Sequence, residues 1–465
     1  MMNNNLGNNL APADNLSADE ELIFNEIGIK TKTKAFKRYY NAGLLENKDS
    51  LYVDEVRSYW LENYNKEIDP VLHLASLNLT GKRDKRIVPA PVMWHEIIPF
   101  LNDQNMAVGY RDKNIYDNLF NTPRAAEIVL KRIRGRYFDT NNNAIDKVQA
   151  NKVLLNDNDS LIIKPSDTND GHGIEKIDCK DGELLLNNER ITITDLEAMY
   201  EYNFIAQKVI QQHPIMAAPH PASVNTLRMV TMRWNNEIKY LSTFARFGAN
   251  DAVKDNAGAG GICIGVTNTG EFMDIALDEH CTTYSYHPTT SFDFSQLEQI
   301  PNFEKFIKLV TELHKDILHL DYISWDIAVG VDGLPVFIEA NFAGATWLYQ
   351  LAFQGPLFGD DTQEIIQYIS KNLKGSKTRD IGSPNSIFRA RKKHPKRKGQ
   401  RRNERRLNRK NKELDIITKE LEVKNKKLNA TIDLQQQEIQ STKDEINRLK
   451  QSRSWRYTSL LRSKK

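Results

Sequence analysis

The sequence contains little cysteine and no long apolar segment. Its 465 residues include 3 cysteines, Cys179, Cys263 and Cys281, which are too few and too scattered for a disulfide framework and indicate a reducing compartment. No apolar run of about 18 residues occurs, so the sequence predicts no transmembrane helix. The Asn-rich N-terminus, Met1 to Asn9, lacks the basic and apolar regions of a signal peptide. We therefore expect a cytoplasmic protein.

The net charge of +3 conceals a division of charge along the chain. Residues 389–465 contain 26 Lys and Arg against 9 Asp and Glu, a net charge of +17. The remaining residues contain 38 against 52, a net charge of −14. This asymmetry indicates that an acidic body and a basic C-terminal tail have different functions.

Local patterns divide the chain into six predicted regions. The N-terminal part contains helical patches, one over Leu51–Tyr64, where apolar residues recur at helical spacing. From Leu161 onward short β-rich segments take over, which favours an α+β domain. Strands are predicted at Leu161–Lys164, Phe204–Ile210, Leu227–Trp234, Ile238–Phe247, Trp325–Val331 and Val336–Glu339, and a helix at Phe303–Leu320. The regions are a disordered leader (1–18), a mainly helical N-terminal region (19–105), the α+β domain (106–374), a basic linker (375–406), a coiled coil (407–450) and a basic, aromatic tail (451–465).

Leucine at heptad spacing predicts the coiled coil. Leucine at d positions with β-branched residues at a positions favours a two-stranded parallel coiled coil, and a buried Asn at an a position helps to fix its register. The sequence therefore predicts a homodimer, with a single solvated helix as the alternative. The d positions are Leu407, Leu414, Leu421, Leu428, Gln435, Thr442 and Leu449, and the a positions include Thr418, Asn425, Ile432, Ile439 and Ile446.

The segment from Tyr322 to Asn341 predicts a β-hairpin. Its turn signal is Asp332–Gly333, a dipeptide that favours two-residue hairpin loops. Counting outward from that turn places Asp326 directly opposite Glu339 on one face of the hairpin. The same count pairs apolar residues on the other face, Ile327 with Ile338 and Val329 with Val336.

The two facing acids of this hairpin predict a metal site. Like charges directly opposite each other destabilise a sheet, so a compensating charge is expected. Asn341 follows Glu339 by two residues and therefore points to the same side. Two carboxylates and one amide suit Mg²⁺, with substrate phosphates completing its coordination shell. The predicted metal ligands are Asp326, Glu339 and Asn341; a solvent-facing hairpin with two ordinary surface acids is the alternative.

A lysine followed by a glycine-containing loop predicts a phosphate site. Lys164 ends an apolar strand, and the loop Ser166–Gly173 contains small polar residues. Glycine lets backbone N–H groups approach phosphates closely, which places Gly171, His172 and Gly173 as candidate contacts. Lys164 would add a point charge. An ordinary hairpin loop is the alternative, and the loop is not a P-loop because no Gly-Lys-Ser/Thr sequence follows.

Two arginines are the candidates for neutralising a transferring phosphoryl group, Arg228 and Arg246. Taking Asn235–Asn236 as a turn places Asn225 opposite Arg246. Arg228 lies three residues beyond Asn225, so both arginines reach one site only where a β-bulge or a strand end intervenes. Surface salt bridges are the alternative.

The order of these motifs resembles that of the ATP-grasp superfamily. The segments Ser223-Val-Asn-Thr-Leu-Arg228 and Trp325-Asp-Ile-Ala are similar to the sugar-transfer-associated branch, which is related to glutamate-ligase-type enzymes. The resemblance covers residues 59–361. The matching motifs are Lys113 within Asp-Lys-Asn, Lys164 with its glycine loop, the strand of Gln207, Asn225-Thr-Leu-Arg228, Asp255-Asn256 with Gly260-Gly261, Asp326, and Glu339-Ala-Asn341.

The resemblance implies a fold in which two α+β subdomains grip ATP, with ATP and Mg²⁺ as cofactors. It implies that Lys113 and Lys164 contact the ATP phosphates. It also implies that Gln207, Lys208 and Val209 line the adenine hinge, and that Asp326, Glu339 and Asn341 hold one or two Mg²⁺ ions. Lys208 departs from the family pattern, because many relatives have an acid after the hinge Gln.

The family's chemistry implies a ligase that works through an acyl phosphate. ATP phosphorylates a substrate carboxylate, and an amine or a similar nucleophile then displaces phosphate. The expected catalytic residues are Lys164, Arg228 and Arg246, because positioning and charge neutralisation lower the barrier without a covalent nucleophile. The expected substrate is a sugar acid or glycan precursor in cell-surface polysaccharide biosynthesis. A phosphotransferase with the same cleft and a non-catalytic ATP-binding scaffold are the alternatives.

The C-terminal tail predicts that the protein is tethered to a larger assembly or to a membrane surface. Residues Ser452 to Arg462 are similar to a Ser-x-Ser-Trp-Arg-x-Thr-x-Pro-Leu-Arg signature of bacterial polysaccharide-assembly proteins, with Leu460 in place of the proline. Trp455 and other apolar residues between arginines also suit an anionic membrane surface, at the inner face of the membrane. The expected partners are therefore assembly proteins or that surface. Nucleic acid is disfavoured, since no recognition fold accompanies the basic residues 389–412, and a solvated charged linker is the alternative.

Overall fold

The computed structural model describes residues 16–156, 159–168, 173–250, 260–342 and 346–374, together with 440–445 and 447–448. The chain divides into two units, Met1–Ile387 and Phe388–Lys465. In the second unit the described residues are helical. The predicted basic linker and tail, and the coiled coil apart from these few residues, lie outside the described residues, as do Gly171 and His172 of the predicted phosphate loop.

Helices form the N-terminal part of the first unit and flank its sheets. A π-helix, Met93–Ile97, joins the fifth helix to the sixth, and short 3₁₀ helices occur at Lys113–Ile115, Phe294–Gln296 and Gly359–Asp361. The α-helices are α1 (Ala18–Glu26), α2 (Lys34–Asn41), α3 (Ser50–Tyr64), α4 (Val71–Thr80), α5 (Ala90–Val92), α6 (Ile98–Leu101), α7 (Gln104–Tyr110), α8 (Tyr116–Leu119), α9 (Lys147–Leu155), α10 (Ile193–Tyr200), α11 (Pro214–Ala217), α12 (Phe303–Lys315), α13 (Thr346–Ala352) and α14 (Thr362–Lys374).

Two antiparallel sheets form the rest of the unit. The strands are β1 (Ile128–Ile133), β2 (Arg136–Phe138), β3 (Ala144–Ile145), β4 (Ser160–Pro165), β5 (Glu175–Lys180), β6 (Glu183–Leu186), β7 (Glu189–Ile191), β8 (Phe204–Lys208), β9 (Thr226–Trp234), β10 (Glu237–Phe247), β11 (Ile262–Val266), β12 (Phe272–Leu277), β13 (Thr283–Tyr284), β14 (Tyr322–Val329) and β15 (Pro335–Asn341). An eight-stranded sheet has the order β3-β2-β1-β8-β4-β5-β6-β7, and a seven-stranded sheet the order β13-β12-β11-β10-β9-β14-β15.

The predicted α+β class is confirmed by this arrangement. The six strands predicted from the sequence fall on β4, β8, β9, β10, β14 and β15. The predicted helix from Phe303 ends at Lys315 rather than at Leu320. Arg233 explains the early end, because its Nη2 donates hydrogen bonds to the carbonyls of His314 and Ile317 at 3.1 and 2.8 Å, which satisfies groups that a longer helix would have paired.

The N-terminal helices support the seven-stranded sheet. In α3 the side chain of Asp49 caps the first turn, and its residues at helical spacing, including Val56 and Trp60, are buried as the sequence predicts. These residues share one apolar core with Met232 of β9 and Ile366 of α14. The N-terminal region is therefore packed against the sheet that carries the facing acids. No helix among the described residues is long and apolar enough to cross a membrane.

Two extended segments connect the sheets. Residues 124–127 pair with β15 through a hydrogen bond from Ala126 N to Phe337 O at 2.8 Å, and then with β8 through one from Lys208 N to Glu127 O at 2.9 Å. Beyond β8, residues 211–213 pair with the end of β14 and the turn after it, through bonds from Val331 N to Gln211 O at 2.9 Å and from His213 N to Val329 O at 2.8 Å. The two sheets are thus tied together at one end of β8.

Candidate functional site

The hairpin of β14 and β15 places Asp326 opposite Glu339, which confirms the central prediction from the sequence. The pairing of the apolar face was predicted wrongly. Ile327 lies opposite Phe337 rather than Ile338, and Val329 lies opposite Pro335 rather than Val336.

Two irregularities in the hairpin, a longer loop and a β-bulge, explain why the apolar pairs differ while the acids still face each other. A hydrogen bond from Gly330 N to Leu334 O at 2.8 Å closes a three-residue loop instead of a two-residue one. A β-bulge at Ile338 then restores the register before the acids are reached.

A second bulge brings the two arginines to one face. The register of β9 and β10 shifts between Tyr240 and Ser242, so Arg246 pairs with Thr226 and not with Asn225 as predicted. Thr226 and Arg228 are two residues apart on β9 and point to the same side. The bulge that the sequence required for a shared site is therefore present.

Arg228 and Arg246 both contact Asp326. Arg228 binds the carboxylate with two nitrogens, Nε at 2.5 Å from Oδ1 and Nη2 at 3.1 Å from Oδ2. Arg246 Nη2 lies 3.2 Å from Oδ2. The side chain of Asp326 is 4% exposed. Burial raises the pKa of Asp326, but the charges of Arg228 and Arg246 outweigh it and hold that pKa below its ordinary value.

Lys113 links Glu339 to the start of the predicted phosphate loop. Its Nζ lies 3.4 Å from Glu339 Oε2 and donates a hydrogen bond to the carbonyl of Thr168 at 2.6 Å. Its backbone N–H donates to the carbonyl of Ser166 at 2.8 Å. Asn341 Nδ2 lies between the acids, 3.2 Å from Asp326 Oδ2 and 3.4 Å from Glu339 Oε1. The predicted phosphate and metal residues therefore form one cluster.

Lys164 lies in the same cluster on the facing sheet. Burial lowers its pKa to about 8, Glu339 opposes this shift, and Lys113 adds to it. The register of β4 and β8 pairs Lys164 with Ile205 and Ile162 with Gln207, so Lys164 and Gln207 share a face. Gly173, the described glycine of the predicted phosphate loop, has a φ of +72°, a conformation that L side chains rarely adopt.

The cluster tests the argument for a metal ion. The sequence demanded a compensating charge for two facing acids, and Arg228, Arg246 and Lys113 supply it directly. Among the described residues, no group of three or more His, Cys, Asp or Glu side chains is placed to hold a metal ion. The two carboxylates of Asp326 and Glu339, with the amide of Asn341 beside them, nevertheless fit magnesium, because that ion commonly takes one or two carboxylates and completes its shell with phosphates and water.

Two cavities lie beside the predicted adenine hinge. Gln207 is buried and its Nε2 donates to the carbonyl of Ala126 at 3.2 Å. A cavity of about 380 Å³ is lined by Gln207 and by Ile338, the residue before Glu339. Lys208 and Val209 line a neighbouring cavity of about 310 Å³. Lys208, where many relatives have an acid, is exposed and forms an ion pair with Glu127 at 2.6 Å.

Sequence reasoning missed two buried residues near these cavities and acids. Lys131 is fully buried, with its Nζ 2.5 Å from Asp117 and 2.7 Å from Asn142. A lysine within an apolar strand was the signal for it. Tyr349 donates and accepts hydrogen bonds next to Arg228. It belongs to no motif, and nothing in the local sequence distinguishes it from an ordinary core tyrosine.

Comparison with known proteins gives one family match and a set of distant matches among solved structures. A family model described as sugar-transfer associated ATP-grasp matches residues 93–366. No curated protein matches the sequence. Among solved structures, D-alanine–D-alanine ligase from Bacillus anthracis is 14% identical over 63% of this chain and 78% of that chain, with a TM-score of 0.34. The VanG D-Ala:D-Ser ligase from Enterococcus faecalis is 12% identical over 58% of this chain and 63% of that chain, also with a TM-score of 0.34.

Proposed function

The chain belongs to the sugar-transfer associated ATP-grasp family, and from that membership we propose that it is an ATP- and Mg²⁺-dependent ligase coupling a carboxylate to an amine or a similar nucleophile. The observation that carries this proposal is the charge cluster between the sheets, with two acids in register on β14 and β15 and four cations around them.

The balance of charge in the cluster suits a polyphosphate. Four cationic side chains surround two carboxylates, so the unliganded cluster has a net charge of +2 when all six groups are ionised. Buried cations attract phosphate oxygens strongly, because water does not screen them. We assign Lys113 and Lys164 to the phosphates, and the cavity between Gln207 and Ile338 to the adenine. The alternative interpretation of the arginines, exposed surface salt bridges, does not account for six charged groups clustered in one buried site.

The proposed reaction has two steps. A carboxylate oxygen of the substrate attacks the γ-phosphorus of ATP, the bond to the bridging oxygen breaks, and ADP leaves. The amine then attacks the carbonyl carbon of the acyl phosphate, phosphate leaves with the electrons of the broken C–O bond, and the nitrogen loses a proton.

The cationic side chains neutralise charge in both steps. Lys164 stabilises the charge on the transferring phosphoryl group, and Arg228 and Arg246 stabilise that charge and the oxyanion of the second step. When bound, magnesium would neutralise phosphate charge as a Lewis acid, held by Asp326, Glu339 and Asn341.

We further propose that the carboxylate belongs to a sugar acid or a glycan precursor for cell-surface polysaccharide. The support is the family's association with sugar transfer. The basic C-terminal segment, with its net charge of +17, would tether a dimer to polysaccharide-assembly proteins or to an anionic membrane surface. Electrostatic attraction to anionic lipids adds about 1 kcal/mol for each Lys or Arg near the surface.

The test is an assay of ADP release from full-length protein with a panel of sugar acids, each with and without amines. We expect release to require both an acid and an amine. Glu339→Gln should lower turnover by about 100-fold or more, whereas Glu312→Gln, a change at an exposed acid of α12, should have no effect. Glu339 is the better target than Asp326, since its side chain is 18% exposed and its change leaves no arginine unpaired.

Two other results would exclude the ligase. Release with an acceptor alone, leaving a stable phosphorylated product, would identify a phosphotransferase. Normal polysaccharide assembly in cells that carry only the Glu339→Gln protein would identify a scaffold. Mass spectrometry of the polysaccharide from cells with and without the gene would then name the modified sugar.

A further inference from the structure

A buried tyrosine lies behind the arginine that binds Asp326. Tyr349, on α13, is 2% exposed. Its hydroxyl accepts a hydrogen bond from Arg228 Nη1 at 2.7 Å and donates one to Ser324 Oγ at 3.3 Å. Arg228 directs its other two nitrogens, Nε and Nη2, at the carboxylate of Asp326. The hydroxyl therefore fixes the guanidinium on the side opposite the acid.

The helix that carries Tyr349 is held by the N-terminal region. The next residue, Gln350, is fully buried and forms two hydrogen bonds with the backbone of Val88, accepting from N–H at 2.7 Å and donating to C=O at 2.9 Å. The guanidinium of Arg38 lies over the ring of Trp347, 4.0 Å from its centroid. Val88 and Arg38, which lie outside the charge cluster, therefore help to fix the position of Tyr349.

The two residues that Tyr349 contacts, Ser324 and Arg228, are both neighbours of Asp326 in the sheet. Ser324 and Asp326 are two residues apart on β14 and share a face. Arg228 is the partner of Asp326 across the β9–β14 pair. The Tyr349 hydroxyl therefore contacts Ser324, on the same strand as Asp326, and Arg228, which binds the Asp326 carboxylate with two nitrogens.

We propose that Tyr349 is a positioning residue for the magnesium site, acting on Asp326 through Arg228. The inference rests on the proposed function, since it concerns the same site. Groups that orient a metal ligand without touching the metal change metal affinity by about 10- to 100-fold when they are removed. Without the hydroxyl, Nη1 of a buried guanidinium has lost its partner, and Arg228 turns to find another at the expense of its two bonds to Asp326.

The test uses Mn²⁺ as the probe ion, followed by electron paramagnetic resonance in full-length protein saturated with the non-hydrolysable analogue AMP-PNP. Tyr349→Phe removes only the hydroxyl and keeps the ring against Phe244, whose centroid is 4.8 Å away. Tyr59→Phe is the matched control, because the buried hydroxyl of Tyr59 has no hydrogen-bond partner among the described residues. We expect the Mn²⁺ dissociation constant to rise about tenfold in Tyr349→Phe and to stay constant in Tyr59→Phe.

Two further measurements separate positioning from general damage. Metal-free AMP-PNP affinity should stay within about twofold of wild type in both variants, since Tyr349 contacts neither Lys113 nor Lys164, the two residues assigned to the phosphates of bound ATP. Ser324→Ala keeps the Arg228 contact and should raise the Mn²⁺ dissociation constant by less than about threefold. An increase as large as that of Tyr349→Phe would indicate a packing defect and overturn the inference.

The outcomes for the inference and for the proposed function differ. Equal Mn²⁺ affinity in wild type and Tyr349→Phe overturns the positioning role and leaves the ligase proposal standing. A wild-type protein that binds neither AMP-PNP nor Mn²⁺ refutes the proposed function itself.

Discussion

Replacing Asp326 by Asn should destabilise the protein as well as inactivate it. Asp326 is the only carboxylate among the described residues that contacts Arg228, and it also lies 3.2 Å from Arg246. The two arginine side chains are 11% and 12% exposed. Breaking a buried ion pair by removing one partner destabilises a protein by about 3–5 kcal/mol, because the remaining charge is left buried without compensation. Asparagine keeps the shape of the side chain but supplies no charge.

The expected change in melting temperature follows from the size of the body. For a cooperative unit of about 350 residues, 1 kcal/mol shifts the melting temperature by about 1.4 °C. Asp326→Asn should therefore melt about 4–7 °C below wild type. Glu339→Gln should melt within about 1 °C of wild type, because Lys113 keeps its hydrogen bond to the Thr168 carbonyl at 2.6 Å.

A double-mutant cycle measured by calorimetry checks the reasoning. Arg246→Gln removes one of the two positive charges that contact Asp326, so the double variant Asp326→Asn, Arg246→Gln should recover at least about 1 kcal/mol of the loss expected from simple addition. An Asp326→Asn protein with the same melting temperature as wild type would refute the argument. Additive losses in the double variant would equally show that the two arginines do not depend on Asp326 for their compensation.

Two other predictions concern the phosphate lysine and the tail. Because burial lowers the pKa of Lys164 to about 8 from 10.5, metal-free AMP-PNP affinity should fall by about tenfold as the pH rises through 8, and a Lys164→Met protein should bind weakly without that pH dependence. The folded state holds this proton less tightly than the unfolded state, so the charged Lys164 opposes folding at lower pH, and the free energy of unfolding should rise as the pH increases from about 8 to 10.5. In the full chain, Leu421→Pro should convert a dimer to a monomer by light scattering, since proline breaks the predicted coiled coil.

Each of these has a matched control. Lys176→Met changes an exposed lysine on the same sheet, 45% exposed, and should keep the wild-type pH profile of AMP-PNP binding. Identical profiles for Lys164→Met and wild type would assign the titration to another group. Lys419 lies between Leu414 and Leu421 in the predicted coiled coil. Lys419→Pro should therefore also dissociate the dimer, whereas Lys419→Gln should not. A Leu421→Pro protein that stays dimeric would place the dimer contacts outside residues 407–450.

Local signals in the sequence predicted that the two acids lie close together. A turn dipeptide and the two-residue period of a strand place Asp326 near Glu339. The exact pairing was correct only because the longer loop and the bulge at Ile338 offset each other. The shared face of Arg228 and Arg246 could not be predicted from local signals. It depends on a bulge in β10 near Leu241, and no local residue pattern indicates that bulge.

Contacts between distant segments were beyond the sequence pattern. Tyr349 and Arg228 are 121 residues apart in the chain, and Val88 and Gln350 are 262 apart. The packing of α13 and of the N-terminal helices against the seven-stranded sheet brings these residues together. Periodicity identifies which residues are buried, as it did for Trp60, but it does not identify which buried residues meet.

The paired segments between the sheets limit the relative movements that the two sheets can make. Both lie at the same end of β8, and each is hydrogen-bonded to the seven-stranded sheet within residues 329–337. Because the two attachments lie side by side, a rotation of one sheet about the line through them would keep these backbone hydrogen bonds, whereas sliding would break them; the bonds from Lys113 to Ser166 and Thr168 would oppose the rotation. A rotation of this kind would change the separation between Lys164 and Glu339, by an amount that depends on the distance of each residue from that line.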